Sequence, residues 1–142
     1  MNIPELLAPA GSPEALTAAL SEGADAVYLG LKNFNARLRG ANFAYAQFEG
    51  ALRAAHKLGK KVYVAVNTVF IERETDRMYQ LLKYLADTGP DAIIVQDLGV
   101  LAMARNFFPA LTLHASTQMN ISSAASCELL AASGVKRAVL AR

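Results

Sequence analysis

The run His114-Ala115-Ser116-Thr117-Gln118 puts an imidazole, two hydroxyls and a carboxamide into five residues, with Asn120 just beyond. Three other short stretches have a similar character. One carries Asn33, Asn35, Arg37, Arg39 and Asn42, a second Asn67, and a third Gln96-Asp97. Hydroxyls and carboxamides both donate and accept hydrogen bonds, so such a set suits the holding of a polar ligand. Each group also has a plainer reading. His114 fits a core histidine satisfied by a neighbouring carbonyl. Asp97 fits the cap of a helix that begins at Leu98-Gly99. Arg37 and Arg39 fit solvated loop charge, and Phe34, Phe43 and Tyr45 fit either base stacking or packing of their own loop.

Familiar catalytic arrangements do not emerge from these residues. His114 and Ser116, two apart on a strand, face one side with Cα atoms roughly 7 Å apart. That spacing lines one pocket but does not make the serine–histidine hydrogen bond of a protease. There is no G-x-S-x-G elbow and no H-E-x-x-H helix. A Schiff-base lysine must project from a strand toward the pocket. Lys60, Lys61 and Lys136 instead fall, with Asp91, at the opposite edge, where solubility and stability roles are expected. His56 falls on a surface helix, so a complete zinc site is not expected. Cys127 is the single cysteine, in an Ala/Ser/Leu-rich helical stretch where a small buried thiol is the default. An anion site at Pro9-Ala10-Gly11-Ser12 would be short and weak. No catalytic residue and no metal ligand set is assigned.

The elements that position these groups follow from one unit written four times: a helical stretch, a glycine, a short spacer and an apolar strand. The glycines are Gly23, Gly59, Gly89 and Gly134, each suited to the left-handed position that ends a helix. The runs after them are short and apolar on both faces, as in a parallel strand covered on both sides. The spacing predicts strands at 5–8, 26–30, 61–66, 92–95, 111–115 and 137–140. Between them it predicts helices from Pro13 to about Glu22, Tyr45 to Leu58, Arg73 to Thr88, Val100 to Phe107 and Ser123 to Ala132. The polar stretches above then sit at the carboxyl ends of strands, where parallel sheets place their chemistry. The fold class is α/β, a parallel (β/α) repeat with six strands of a TIM-barrel-like fold. A closed barrel needs eight strands and ~250 residues, so truncation is expected, with an open doubly wound sheet as the alternative. Exposed strand edges would favour self-association or pairing with a remaining barrel segment.

With 142 residues, 54% of them hydrophobic and 18% charged, the chain has the composition of one folded domain. Its net charge of +2 does not by itself imply a nucleic-acid partner. Lys57, Lys60 and Lys61 cluster where a helix ends, complementing its dipole. No signal peptide is evident at Met1-Asn2-Ile3-Pro4-Glu5, and no apolar run approaches the ~20 residues of a membrane helix. A cytoplasmic protein with no membrane partner is the simplest expectation.

Several motifs resemble the collagenase-like peptidase family, peptidase family U32. These are Glu5-Leu6-Leu7-Ala8-Pro9-Ala10-Gly11-Ser12, Gly23-Ala24-Asp25-Ala26-Val27-Tyr28-Leu29-Gly30 and Phe34-Asn35-Ala36-Arg37. Gln96-Asp97-Leu98-Gly99, His114 to Asn120 and Arg137 to Arg142 are similar to its later motifs, in the same order. The resemblance implies that residues 1–142 are the amino-terminal part of a longer protein with a TIM-barrel-like catalytic domain. It implies a peptidase label that fits only part of the family, since relatives hydroxylate transfer-RNA and ribosomal-RNA bases or act in ubiquinone hydroxylation. Some of these carry an iron–sulfur cluster on cysteines that follow this region. Cys127 alone cannot hold such a cluster, which typically takes four thiolates, so none is expected on this chain. The motif positions that carry over as substrate-positioning candidates are Asn35, Arg37, Gln96, Asp97, His114, Ser116, Gln118 and Asn120, to which the end of the third strand adds Asn67. The expectation is an intact protein acting on RNA bases, with this chain inactive alone. The alternatives are a non-catalytic binding or oligomerising module, and a protease whose catalytic residues lie beyond Arg142.

Overall fold

The computed structural model describes residues 3–35 and 42–141. Six strands alternate with five helices: β1 Leu7–Pro9, α1 Pro13–Ser21, β2 Ala26–Gly30, α2 Tyr45–Lys57, β3 Lys61–Val66, α3 Thr75–Thr88, β4 Ala92–Val95, α4 Leu98–Phe107, β5 Leu113–Ala115, α5 Ala124–Ala132 and β6 Val135–Ala138. All the pairings are parallel, and the strand order is β1-β2-β3-β4-β5-β6. Each strand therefore lies beside its neighbour in sequence. A doubly wound sheet reverses direction at a switch point, and this one does not. The arrangement is that of a barrel wall in which β1 and β6 are the two edges, so the sheet is not closed.

The four repeat glycines all adopt positive φ: 94° at Gly23, 69° at Gly59, 78° at Gly89 and 86° at Gly134. At Gly134 a side chain would also meet Arg105, whose Nη1 lies 2.9 Å from where a Cβ would stand. Helix starts follow from local hydrogen bonds. The Ser12 hydroxyl accepts from the Ala15 amide at 3.2 Å, with Pro13 at the first helical position. Ser123 accepts from Ser126 N at 3.2 Å in the same way.

Period-two alternation along the strands divides the core in two. Val27 and Leu29, Val62, Val64 and Val66, Ile93 and Val95, and Leu113 and Ala115 face outward. There they join helix residues such as Phe48, Leu52, Met78, Leu82, Leu85 and Val100 in one buried cluster. The intervening Ala26, Tyr63, Ala92 and Ile94 form a second cluster on the concave side, with Leu7 and Tyr28 packed against it.

Several boundaries differ from the sequence reading. Strand one starts at Leu7 because Leu6 leaves the ladder: its amide donates to Asp25 Oδ2 at 2.9 Å, and its carbonyl accepts from both Asp25 N and Ala26 N. Strand five starts at Leu113 because Leu111 N turns back to Phe108 O at 3.0 Å. Strand six is shifted toward the amino terminus, to Val135–Ala138, because the Gly134 repeat has no spacer before its strand. The third long helix begins with a separate 3-10 turn at Glu72–Glu74, where the Glu74 carboxylate accepts from Ile71 N at 3.1 Å.

Candidate functional site

At the carboxyl ends of the strands the concave face opens into a cavity of about 420 Å³. Leu7, Tyr28, Ala65 and Ile94 line its depth, and Asn35, Asn42, Asn67, Ser116, Thr117 and Gln118 line its rim. None of the described lining residues carries a formal charge. An apolar interior with a few convergent polar groups is the usual make-up of a small-molecule site.

Each rim group is held by its own segment. Gly30 ends β2 and accepts from Phe43 N at 3.0 Å, while Leu31 and Phe43 form a further bridge. This brings the two ends of the β2–α2 segment together over the strand end. A Cβ on Gly30 would lie 2.8 Å from Asn35 Cγ and 3.0 Å from Asn42 Oδ1, so only glycine admits both asparagines. Asn35 is 2% exposed, and its carboxamide donates to the Leu31 carbonyl. Asn67 follows directly on β3. Ser116 follows β5, and its hydroxyl accepts from Gln118 N at 3.2 Å, shaping a 3-10 turn over Thr117–Met119.

Below this cavity, at the amino-terminal end of the strands, lies a polar layer. Glu5 Oε1 accepts from Arg137 Nη1 and Tyr63 Oη, both at 2.7 Å, and Oε2 accepts from Lys61 Nζ at 2.9 Å. The Arg137 guanidinium stands 5.4 Å from the Tyr63 ring centroid. Tyr63 in turn meets His114 edge-on, with centroids 4.8 Å apart. Partial burial would raise the Glu5 carboxyl, but hydrogen bonds from Arg137, Lys61 and Tyr63 outweigh it and hold the pKa at about 2. Burial lowers His114 to about 4, and the Arg137 charge acts in the same direction. Burial raises the Tyr63 phenol, with its hydrogen bond to Glu5 adding to the effect. At neutral pH the layer therefore holds two cations, one carboxylate, a phenol and a neutral imidazole.

The structure gathers some of the sequence candidates and separates others. Asn35, Asn67, Ser116 and Gln118 meet at the mouth, joined by Asn42 and Thr117. His114 does not share that cavity with Ser116. One residue pair deeper, it packs on Tyr63 and is 6% exposed. Asp97 is the cap of α4, with Oδ1 accepting from Gly99 N at 2.7 Å and Val100 N at 3.2 Å. That capping role draws helix α4 back to Leu98. Gln96 and Asn120 do not line the cavity, and Asn120 instead closes the 3-10 turn in a left-handed conformation at φ 56°. Arg37, Arg39 and Arg142 lie outside the described residues.

Lys61 stays at its exposed strand edge, with its side chain 55% exposed, and from there its ammonium reaches Glu5 Oε2 at 2.9 Å. Glu5, Tyr63 and Arg137 were missed as a group. The alternation carried a signal: Lys61, Tyr63 and Ala65 share the concave face, and register places Arg137 beside His114. His56 pairs with Asp91, Nε2 to Oδ2 at 2.8 Å, on the outer surface.

Among the described residues no group of three or more His, Cys, Asp or Glu converges as a metal site. Cys127 packs against the sheet–helix core from α5, away from the mouth, and is the chain's single cysteine. These residues do not fit an iron–sulfur cluster. No helix among them is long and apolar enough to cross a membrane.

Comparison with known proteins agrees with this architecture. The chain is 35% identical over 139 residues to the tRNA hydroxylation protein P of Escherichia coli, covering 98% of this chain and 31% of that protein. To the protein of the same name from Helicobacter pylori it is 38% identical, covering 100% of this chain and 34% of the relative. The Escherichia coli 23S rRNA 5-hydroxycytidine synthase is 37% identical over 97% of this chain, which corresponds to 20% of that enzyme. The chain thus spans about a third or less of these relatives. Among solved structures, the U32 peptidase Mk0906 superposes with a TM-score of 0.76 at 14% identity, over 97% of this chain and 58% of that one. The YdjI aldolase of Escherichia coli superposes with a TM-score of 0.63 at 19% identity, over 89% and 48% of the two chains. These last two likenesses concern the fold. The model of peptidase family U32 matches residues 11–142, and the chain belongs to that family.

Proposed function

We propose that this chain forms part of the base-binding wall of an RNA-base hydroxylation protein acting on transfer RNA. The observation that carries this reading is the mouth of the barrel wall. It is a cavity of about 420 Å³ with an apolar interior and a rim of uncharged carboxamides and hydroxyls. A nucleobase drawn out of its stack is a flat neutral ring whose edge alternates donors and acceptors. Carboxamides match such an edge because each offers both functions. Asn67 and Gln118 are the rim groups assigned to edge recognition. Asn35, whose amide already serves the Leu31 carbonyl, holds the β2–α2 segment in position. Tyr28 and Ile94 supply apolar surface for the ring. The names of the relatives point the same way, since several are RNA hydroxylation proteins.

The protease reading finds less support at this site. Ser116 donates toward Gln118 Oε1 at 3.4 Å and accepts from Gln118 N, while His114 is turned to Tyr63. What these residues do is bind, orient and shield the base.

The test is binding and modification of unmodified tRNA transcripts by the protein and by Asn67→Ala and Gln118→Ala variants. Loss of binding in both, with thermal stability unchanged, is the expected result. Variants that bind and support modification like the parent would overturn the assignment. Gelatin cleavage by an iron-free, colourless protein would replace it with proteolysis.

A further inference from the structure

A second cavity, of about 380 Å³, lies on the other side of the segment 33–35, against α3. Its aromatic wall is Phe34, Tyr45 and Tyr84, and its polar rim includes Asn33, Gln80 and Arg77. Tyr84 is fixed in place, donating its hydroxyl to Glu49 Oε1 at 3.0 Å and lying 6.2 Å from Phe48 by ring centroids. Tyr45 is set against it at 4.5 Å with an interplanar angle of 34°, yet remains 45% exposed. An aromatic ring braced by a second ring and still open to solvent loses little further freedom when a ligand stacks on it.

Phe34 adds an independent observation. It adopts φ 55°, a left-handed conformation uncommon for a bulky residue. The Arg77 guanidinium lies 5.4 Å from its ring centroid. This turn divides the segment between the two cavities: Asn33 and Phe34 line the groove, and Asn35 lines the mouth.

The chemistry of the groove narrows its occupant. Carboxamides and a guanidinium beside stacked rings suit a planar heterocycle with hydrogen-bonding edges more than an alkyl chain. Asp76 also lines it, and Arg77 is already engaged by Glu74 at 3.7 Å, so a phosphate is disfavoured. The geometry points to a base-stacking subsite here, taking the nucleobase immediately next to the one held at the mouth. This inference rests on the RNA reading above and extends it to a second base. A splayed single strand crossing residues 33–35 places one base on each side of a single backbone segment.

The experiment places a photo-crosslinking benzoylphenylalanine at position 45 in one variant and in place of Thr117, an exposed rim residue with no assigned recognition role, in another, with unmodified tRNA transcripts as probe. Crosslinks are mapped by reverse-transcription stops. The expected result is crosslinking from both positions, to neighbouring nucleotides. Tyr45→Ala should weaken binding roughly tenfold, with Tyr45→Trp retaining parental affinity. Thermal melting of each variant separates a lost contact from a lost fold. Crosslinks from position 117 with none from 45, or to remote nucleotides, would overturn the subsite and leave the mouth assignment standing. No RNA binding by the parent protein would overturn both.

Discussion

Arg137 on β6 and Glu5, just ahead of β1, meet at 2.7 Å although they lie 132 positions apart in sequence. Their strands are the two edges of the sheet and share no backbone hydrogen bond. The contact therefore spans the concave side, and it requires the sheet to curl until its edges approach within side-chain reach. Lys61 and Tyr63 on β3 join the same carboxylate. One glutamate thus ties the first, third and sixth strands together.

Glu5→Gln should destabilise the fold, because it leaves Arg137 and Lys61 without their counter-charge. Removing one partner of a desolvated pair costs about 3–5 kcal/mol. Here the Arg137 side chain is 39% exposed and Lys61 55%, so solvent screens part of the loss. A loss of about 1–3 kcal/mol at neutral pH, read by denaturant unfolding, is expected. Lys61→Met should cost under about 1 kcal/mol because its charge is largely solvated. Equal effects of the two substitutions would refute the ranking.

Acid should erode stability in two successive stages. His114 has its pKa lowered from 6.5 to about 4 by burial, aided by the Arg137 charge. Between those values the unfolded chain binds a proton that the native state refuses. Its contribution is full above pH 6.5 and falls as pH drops to about 4, by at most ~1.4 kcal/mol per pH unit. Glu5 is lowered from 4.5 to about 2, so its contribution is full above pH 4.5 and is lost as pH falls toward 2. Unfolding free energies measured from neutral pH to acid should decline throughout that range. His114→Phe should flatten the upper stage and leave the lower one. An unchanged slope near pH 5 in that variant would count against the buried neutral imidazole.

The backbone plan was legible because it rests on local signals. The four left-handed glycines and the helix caps at Ser12 and Ser123 act within a few residues of themselves. So did the mouth, since Asn67 and Ser116 sit where strands stop. The interior layer was not legible, because Glu5 and Arg137 become neighbours only through the curl of a six-stranded sheet. His114 and Ser116 illustrate a limit of alternation: it placed them on one face, but depth within the barrel separates their surroundings. Asp97 was ambiguous in sequence because a carboxylate at a strand end and at a helix start occupy the same position.

Gly30→Ala should disturb the mouth more than the sheet. The new methyl would stand 2.8 Å from Asn35 Cγ and 3.0 Å from Asn42 Oδ1. The first contact is too close to keep and the second is tight, so the Asn35 side chain must shift from its place at the rim. Overpacking of this kind costs about 1–3 kcal/mol. The expected outcome is a modest fall in melting temperature with a large loss of RNA affinity. Retained affinity would show that Asn35 and Asn42 do not have to sit where they do.

Asp97 and Gln118 offer the sharpest contrast between a structural and a ligand-facing polar group. Both follow strands at the same end of the sheet, yet the Asp97 carboxylate caps α4 and does not line the cavity. Asp97→Ala should cost about 1 kcal/mol of stability, as removal of a helix cap does. It should leave RNA affinity unchanged once folding is complete, and Asp97→Asn or Asp97→Ser should recover most of the stability. Gln118 is exposed, and its backbone amide, which bonds to Ser116 Oγ, survives substitution. Gln118→Ala should therefore melt like the parent while binding RNA less well. Paired melting and affinity measurements on the two variants read the two roles separately, and affinity loss in Asp97→Ser at full stability would move Asp97 back into the site.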